Sequence, residues 1–193
     1  MTIADAHDPA TLAWYQAEAI GYAARGNDDA SRLLTEFTAR LPAGGRVLEL
    51  GCGGGRDAAA MTAMGFDVDA TDGTPAMVEL ASARLPRPAR PMRFDQLDAD
   101  AAYDGVWANA SLLHVPWPAL PGILAAVHRA LRPGGWHAAS FKTGNGGGRD
   151  ARGRYYNYPT AEALVGAYGQ AADWSEMSWR TDRFVGWDGV PTP

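Results

Sequence analysis

A single cysteine, Cys52, stands in this chain of 193 residues. One thiol excludes an intrachain disulfide framework and a zinc site built from cysteines. Long apolar runs are missing too: no stretch approaches the ~20 residues needed to span a bilayer. The opening Met-Thr-Ile-Ala-Asp has neither a basic start nor an apolar segment, so it does not read as a secretory signal, and a cytoplasmic, reducing compartment is expected. Positive charge is scarce. Seventeen Lys and Arg against 22 Asp and Glu leave a net charge of −5, which offers no general attraction to a phosphate backbone or an anionic membrane.

What remains is ordinary globular composition, with 47% hydrophobic and 20% charged residues. The length suits one domain, whose core can bury roughly 70% of the surface of the unfolded chain. Hydrophobic spacing predicts a helix over Thr11–Ala24, with Leu12, Tyr15, Ala19 and Tyr22 on one side, and a second over Asp28–Leu41. Strands are expected at Arg46–Leu50, Phe66–Thr71, Met92–Phe94, Tyr103–Ala108 and Trp136–Phe141. Helices are expected between them at Arg56–Met64, Pro75–Arg84 and Leu120–Leu131. Strict alternation of strand and helix implies right-handed crossovers and a doubly wound, mostly parallel α/β sheet in three αβα layers. In such sheets a ligand lies beyond the carboxyl ends of the strands. Gly144–Gly148 and the Pro/Arg-rich stretch Arg84–Pro91 read as flexible, and no internal repeat is present.

The segment Glu49-Leu50-Gly51-Cys52-Gly53-Gly54-Gly55 follows the first strand directly. Glycines suit a backbone that turns sharply off a strand and lets a ligand approach closely. A dinucleotide fingerprint, G-x-G-x-x-G, would need a third glycine where Arg56 stands, which disfavours an NAD-dependent oxidoreductase. The spacing E-x-G-x-G-x-G fits without gaps, and a glycine-rich turn with no ligand is the alternative. Asp72 ends the second strand, where a carboxylate can accept both hydroxyls of a ribose. Asp72-Gly73-Thr74-Pro75 is also an ordinary capping turn, and the two readings are compatible if Thr74 does the capping.

These motifs, with Tyr103-Asp104-Gly105-Val106-Trp107-Ala108 and Leu131-Arg132-Pro133-Gly134-Gly135, resemble the small class I S-adenosylmethionine-dependent methyltransferases related to the tellurite-resistance and thiopurine-type enzymes. The resemblance covers about residues 11 to 182. It implies a Rossmann-like fold with S-adenosylmethionine as cofactor, organised as an N-terminal helical cap (1–41), a cofactor-binding core (46–141) and a substrate-side loop, helix and strand (142–193). It also implies roles for individual residues. Gly51 and Gly53 would line the methionine and ribose of the cofactor, beside Glu49, and Asp72 would hold the ribose hydroxyls. Arg56 would pair with the cofactor carboxylate by a charge-assisted bond, and Asn109 would face its amino group through the backbone. Tyr22 would close over the cofactor. The family's acidic residue after the third strand falls on Arg93 here; Phe94 can flank the adenine ring, and an acidic contact would have to come from Asp95.

Methyl transfer from a sulfonium is governed mainly by proximity and orientation. A base is needed only if the acceptor carries a proton at attack. His114 sits where the family places residues facing the transferred methyl, as a catalytic candidate or as a structural histidine. Lys142, Arg154 and Tyr155 are candidates for contact with a small-molecule acceptor, in a segment where Tyr155, Tyr156 and Tyr158 stand beside Arg149, Arg152 and Arg154. That segment reads either as a mobile wall over the acceptor or as a surface loop with packed tyrosines. Arg84, Arg87 and Arg90 recur every three residues among prolines, a weak signal for RNA. A cofactor-binding fold that serves as a non-catalytic or partner module is the second functional reading.

Near the C-terminus, Ser175–Arg183 is expected as a sixth strand, with Met177 and Trp179 alternating against Glu176 and Ser178. Phe184–Pro193, with two glycines and two prolines, reads as a loop. The fifth strand would then have an unpaired edge. The expectation is a longer natural chain, a rearranged segment, or a partner, including a homo-oligomer, over that edge.

Overall fold

The computed structural model describes residues 6–24 and 30–181. Five parallel strands form the central sheet: β1 (Arg46–Leu50), β2 (Asp67–Asp72), β3 (Arg90–Pro91), β4 (Tyr103–Ala108) and β5 (Leu131–Ala139). Their order is β3-β2-β1-β4-β5, so the chain reverses direction across the sheet between β1 and β4. Helices α1 (Pro9–Ala23), α2 (Leu34–Thr38), α3 (Arg56–Ala63), α4 (Pro75–Arg84), α5 (Leu120–Ala130) and α6 (Ala161–Ala171) accompany it. This is the Rossmann-like α/β architecture.

Strand alternation sorts the core onto two faces. Leu48, Leu50, Val106 and Ala108 point to one face and pack with Leu120, Ile123, Leu124 and Val127 of α5. Val47, Val68, Ala70 and Trp107 point to the other, against Leu34 and Phe37 of α2, Ala58 and Met61 of α3, and Ala81 of α4. Truncating one of these fully buried leucines to alanine would cost about 2–5 kcal/mol. Among the described residues no helix is long and apolar enough to cross a membrane.

Several expected elements are revised. The second helix shortens to Leu34–Thr38, residues 28 and 29 of the expectation lying outside the described part. The third strand is not Met92–Phe94. It is Arg90–Pro91, pairing with Thr71 and Asp72, and Phe94–Gln96 is a single 3-10 turn. The fifth strand begins five residues early, at Leu131, because Leu131 pairs with Tyr103 before a register shift leads to the Gly105–Trp136 pair. Gly134, with φ of +79°, lies within that irregularity. The glycine-rich stretch expected to be flexible forms an antiparallel hairpin of β6 (Gly146–Arg149) and β7 (Tyr155–Tyr158). The sixth strand does not form over Ser175–Thr181; residues 182–183, and the expected tail loop, lie outside the described residues. Instead that segment runs as irregular chain, with Arg40 and Glu176 3.8 Å apart and Arg180 bonded to Glu36 of α2 at 2.9 Å. β5 has no strand partner beyond β4 among the described residues.

Candidate active site

The carboxyl ends of β1, β2 and β4 converge where the sheet order reverses, which is where α/β sheets place their ligands. The glycine turn after β1 is pinned by its neighbour: the amides of Gly51 and Cys52 both donate to the Thr71 carbonyl, at 2.9 and 2.8 Å. Gly51 has φ of +75°, and a Cβ there would lie 2.6 Å from the Cβ of Ser111. Ser111 is itself fixed, its hydroxyl donating to the Leu50 carbonyl at 2.6 Å. Gly53 differs. Its φ is +53°, yet a Cβ would meet nothing within 4 Å, so its open side faces free space.

Asp72 stands at the tip of β2 facing that space. Its Oδ2 accepts the Gly53 amide at 3.0 Å and its Oδ1 accepts the Thr74 amide at 2.8 Å. The capping expectation is therefore reversed: the Thr74 side chain makes no capping bond, and Asp72 holds the turn. Each of its oxygens keeps a further lone pair. Burial pushes the Asp72 carboxyl up, against the lowering effect of the Thr74 and Gly53 amides. Glu49 lies deeper, 4% exposed, and its Oε2 has no hydrogen-bond partner among the described residues. Burial first, and then the neighbouring Asp57 and Asp72, raise its carboxyl well above the usual range.

Asp57 organises the other side. Its carboxylate accepts the Ser31 amide at 2.9 Å, the Ser31 hydroxyl at 2.5 Å and the Trp107 indole N–H at 3.0 Å. Arg56 lies beside it, Nε 3.6 Å from Asp57 Oδ1 and Nη2 donating to the Ser31 hydroxyl at 3.3 Å. Asn109, past β4, donates to Ser31 Oγ at 2.6 Å and accepts from Ser140 Oγ at 2.6 Å. These bonds fix the chain at the strand tip, where Ala110 has φ of +50°. Cys52 is buried and its thiol is pushed up by burial, which makes it inert.

Tyr22, Phe94, His114 and Lys142 line the same cleft as Glu49, Gly51, Gly53, Arg56, Asp72 and Asn109. The cleft measures about 1860 Å³, above the roughly 300–1,000 Å³ of a single ligand pocket, because it continues into a groove along β5. Asp95 is paired with Arg93 at 3.0 and 3.1 Å. Arg154 and Tyr155 are not on the cleft surface. Arg154 is buried behind it, bonded to Asp150 at 2.9 and 2.7 Å and packed on the Trp14 and Tyr156 rings. Tyr155 contributes its carbonyl, which accepts from His114 Nδ1 at 2.6 Å, while its hydroxyl donates to Asn157 at 2.7 Å. Since a carbonyl only accepts, Nδ1 carries the proton and Nε2 the lone pair. That lone pair is met by the Tyr15 hydroxyl at 3.0 Å. Burial lowers the His114 pKa to about 4, so the ring is neutral.

Sequence reasoning missed Tyr15 and Asp57 as site residues. Asp57 directly follows the glycine motif and Arg56, a usable signal; Tyr15 has none beyond its helical face. Of the three spaced arginines, Arg87 pairs with Asp67 at 2.8 Å and Arg90 with Asp69 at 3.0 Å, leaving less charge for a phosphate backbone. No cluster of three or more metal-ligating side chains occurs among the described residues.

Residues 47–135 match the family described as "Methyltransferase domain". Among curated proteins, the chain is 33% identical over 97 residues to hemagglutinin 1 of Eikenella corrodens, covering 48% of this chain and 32% of that protein. It is 33% identical over 101 residues to the ubiquinone biosynthesis O-methyltransferase of Thiobacillus denitrificans, covering 49% of this chain and 43% of that one. The chain thus spans less than half the length of these relatives. A solved structure of Burkholderia thailandensis 1,6-didemethyltoxoflavin-N1-methyltransferase, with 1,6-didemethyltoxoflavin and S-adenosylhomocysteine bound, superposes with a TM-score of 0.71 at 25% identity, covering 84% of this chain and 76% of that one. Residues 47–135 thus match a methyltransferase domain, and the fold is similar to that of a solved methyltransferase with S-adenosylhomocysteine bound.

Proposed function

We propose that the chain transfers the methyl group of S-adenosylmethionine to a small-molecule acceptor by in-line displacement. The observation that carries this reading is the space beside Gly53, which a Cβ would enter unopposed and which the spare lone pairs of Asp72 border, with the orphaned Glu49 Oε2 lining the same cleft. A buried carboxylate oxygen without a donor costs about 1–3 kcal/mol, and a ligand donor would relieve it. When bound, the cofactor supplies an already activated methyl group, so the residues around it have to bind and orient.

In this reading Asp72 accepts the ribose hydroxyls through its second lone pairs, and Gly51 and Gly53 let the backbone approach the ligand. Arg56 meets the cofactor carboxylate, and Phe94 and Tyr22 flank it. His114, Tyr15 and Lys142 form the acceptor side, and α1 closes it through the Asp8–Arg149 pair at 2.7 Å. Similarity to a ubiquinone biosynthesis O-methyltransferase and to a 1,6-didemethyltoxoflavin-N1-methyltransferase agrees with a small acceptor. The tellurite-resistance-like and thiopurine-like subtype rests on the motif set alone.

The test is release of S-adenosylhomocysteine in a screen over small oxygen, nitrogen and sulfur nucleophiles. Acceptor-dependent release is expected. Cofactor binding with no release for any nucleophile would instead identify a non-catalytic binding module.

A further inference from the structure

The acceptor wall carries an unbalanced positive charge. The buried Tyr156 ring lies behind it, not on the cleft surface, with the Lys142 ammonium, which does line the cleft, 4.8 Å from its centroid. The Arg154 guanidinium lies 5.2 Å from the same centroid, and the His114 ring 4.4 Å away. Arg154 is neutralised by Asp150 through two bonds, and Arg149 by Asp8. Lys142 pairs with no carboxylate among the described residues. In a chain of net charge −5, the acceptor side therefore carries an excess cation.

The groups able to take a proton there are committed. His114 donates through Nδ1 to the Tyr155 carbonyl, and its Nε2 is occupied by the Tyr15 hydroxyl, which also accepts from Arg154 at 3.1 Å. Burial keeps the Tyr15 and Tyr156 phenols protonated, the latter pushed up to about 12. Lys142 and Arg154 add their repulsion to the burial that keeps His114 uncharged. A neutral acceptor that must shed a proton during attack finds no free base on this wall among the described residues.

We infer that the acceptor is a planar acid that reacts as its anion, with Lys142 as its counter-ion and the cleft-lining rings of Tyr15, Tyr22 and His114 as its binding face. The anionic atom forms its bond to the methyl carbon while the carbon–sulfur bond breaks and leaves its electron pair on sulfur. A sulfonium and an anion become two neutral products, and no proton has to be moved. An ammonium held against a low-dielectric wall stabilises the acceptor anion and draws its acidity toward neutral pH. The inference rests on the reading of the site as a methyltransferase and adds the class of acceptor.

The experiment uses ring-substituted phenols and thiophenols graded in acidity, with S-adenosylmethionine, and follows kcat/KM against pH. The acid limb is expected to move with the acceptor's own pKa. Lys142→Met should lower kcat/KM by about ten-fold or more, as for loss of a charge-assisted contact, and Lys142→Arg should recover most of it. S-adenosylhomocysteine affinity, measured by calorimetry, should stay unchanged in both variants. The inference is overturned if the limb holds one pH for every acceptor, if Lys142→Met is as active as the parent chain, or if neutral amines are methylated and no phenol or thiophenol is. A chain that fails to bind S-adenosylhomocysteine removes the methyltransferase reading itself, and this inference with it.

Discussion

The Tyr15 hydroxyl caps Nε2 of His114 at 3.0 Å, joining the N-terminal helix to the turn after β4 across a sequence separation of 99. With Nδ1 bound to the Tyr155 carbonyl, this pair fixes both the tautomer and the orientation of the imidazole. Tyr15→Phe removes one hydrogen bond to each of His114 and Arg154. We expect about 1 kcal/mol lower stability by denaturant unfolding, a loss of turnover without loss of cofactor affinity, and an unmoved pH profile. A new titration in the Tyr15→Phe profile would show that the freed histidine acts as a base.

Gly51 and Gly53 should answer differently to the same change. Both have positive φ, so alanine at either costs about 1–2 kcal/mol of backbone strain. At Gly51 the new Cβ also collides with Ser111, so Gly51→Ala should lower the melting temperature further than Gly53→Ala. At Gly53 the methyl enters open space, and Gly53→Val should abolish cofactor binding in a chain that remains folded. Thermal melts and calorimetry on the same samples separate the two, and normal binding by Gly53→Val would show that the glycines serve the turn alone.

Glu49 is a place where the free protein carries a cost. A buried carboxylate with an orphaned oxygen near Asp57 and Asp72 destabilises the folded state at neutral pH. Glu49→Gln should therefore raise the melting temperature of the ligand-free chain while weakening its affinity for the cofactor. A variant that loses both stability and affinity would mean that the carboxylate is satisfied in the free protein.

The dominant lines of the site were legible because they depend on neighbours in sequence. An apolar β1 followed by glycines, and an acidic residue ending β2, need only strand periodicity to be placed at one end of a sheet. The short β3 was misplaced because Arg90-Pro91 lacks the apolar alternation of a strand and is held by pairing to Thr71 and Asp72. The hairpin of Gly146–Arg149 escaped for the same reason, its order coming from the facing tyrosines of β7. The Tyr15–His114 cap and the Ser31–Asp57–Trp107 hub join residues distant in sequence, and no local pattern announces them.

Two histidines make the fold acid-sensitive. Burial holds His114 and His137 at about 4, against 6.5 for an ordinary histidine. The unfolded chain thus takes up protons that the folded chain refuses, so their contribution to stability is full above pH 6.5 and is lost as pH falls from there toward 4. Unfolding followed over this window should show a falling midpoint. A His137→Gln variant, which lacks one of the two groups, should show a shallower fall, and an equal slope would contradict the assignment.

The most direct test is calorimetric titration of the chain and its Asp72→Ala variant with S-adenosylhomocysteine, with NAD as control. Asp72 ends β2, next to the β1–β4 switch point, and on the proposed reading removing a carboxylate that accepts ribose hydroxyls should cost about 1.5–3 kcal/mol of binding. We predict saturable binding of S-adenosylhomocysteine by the parent chain, binding weaker by about ten-fold or more in Asp72→Ala, and no binding of NAD. Equal affinity in parent and variant, or binding of NAD alone, would contradict the account.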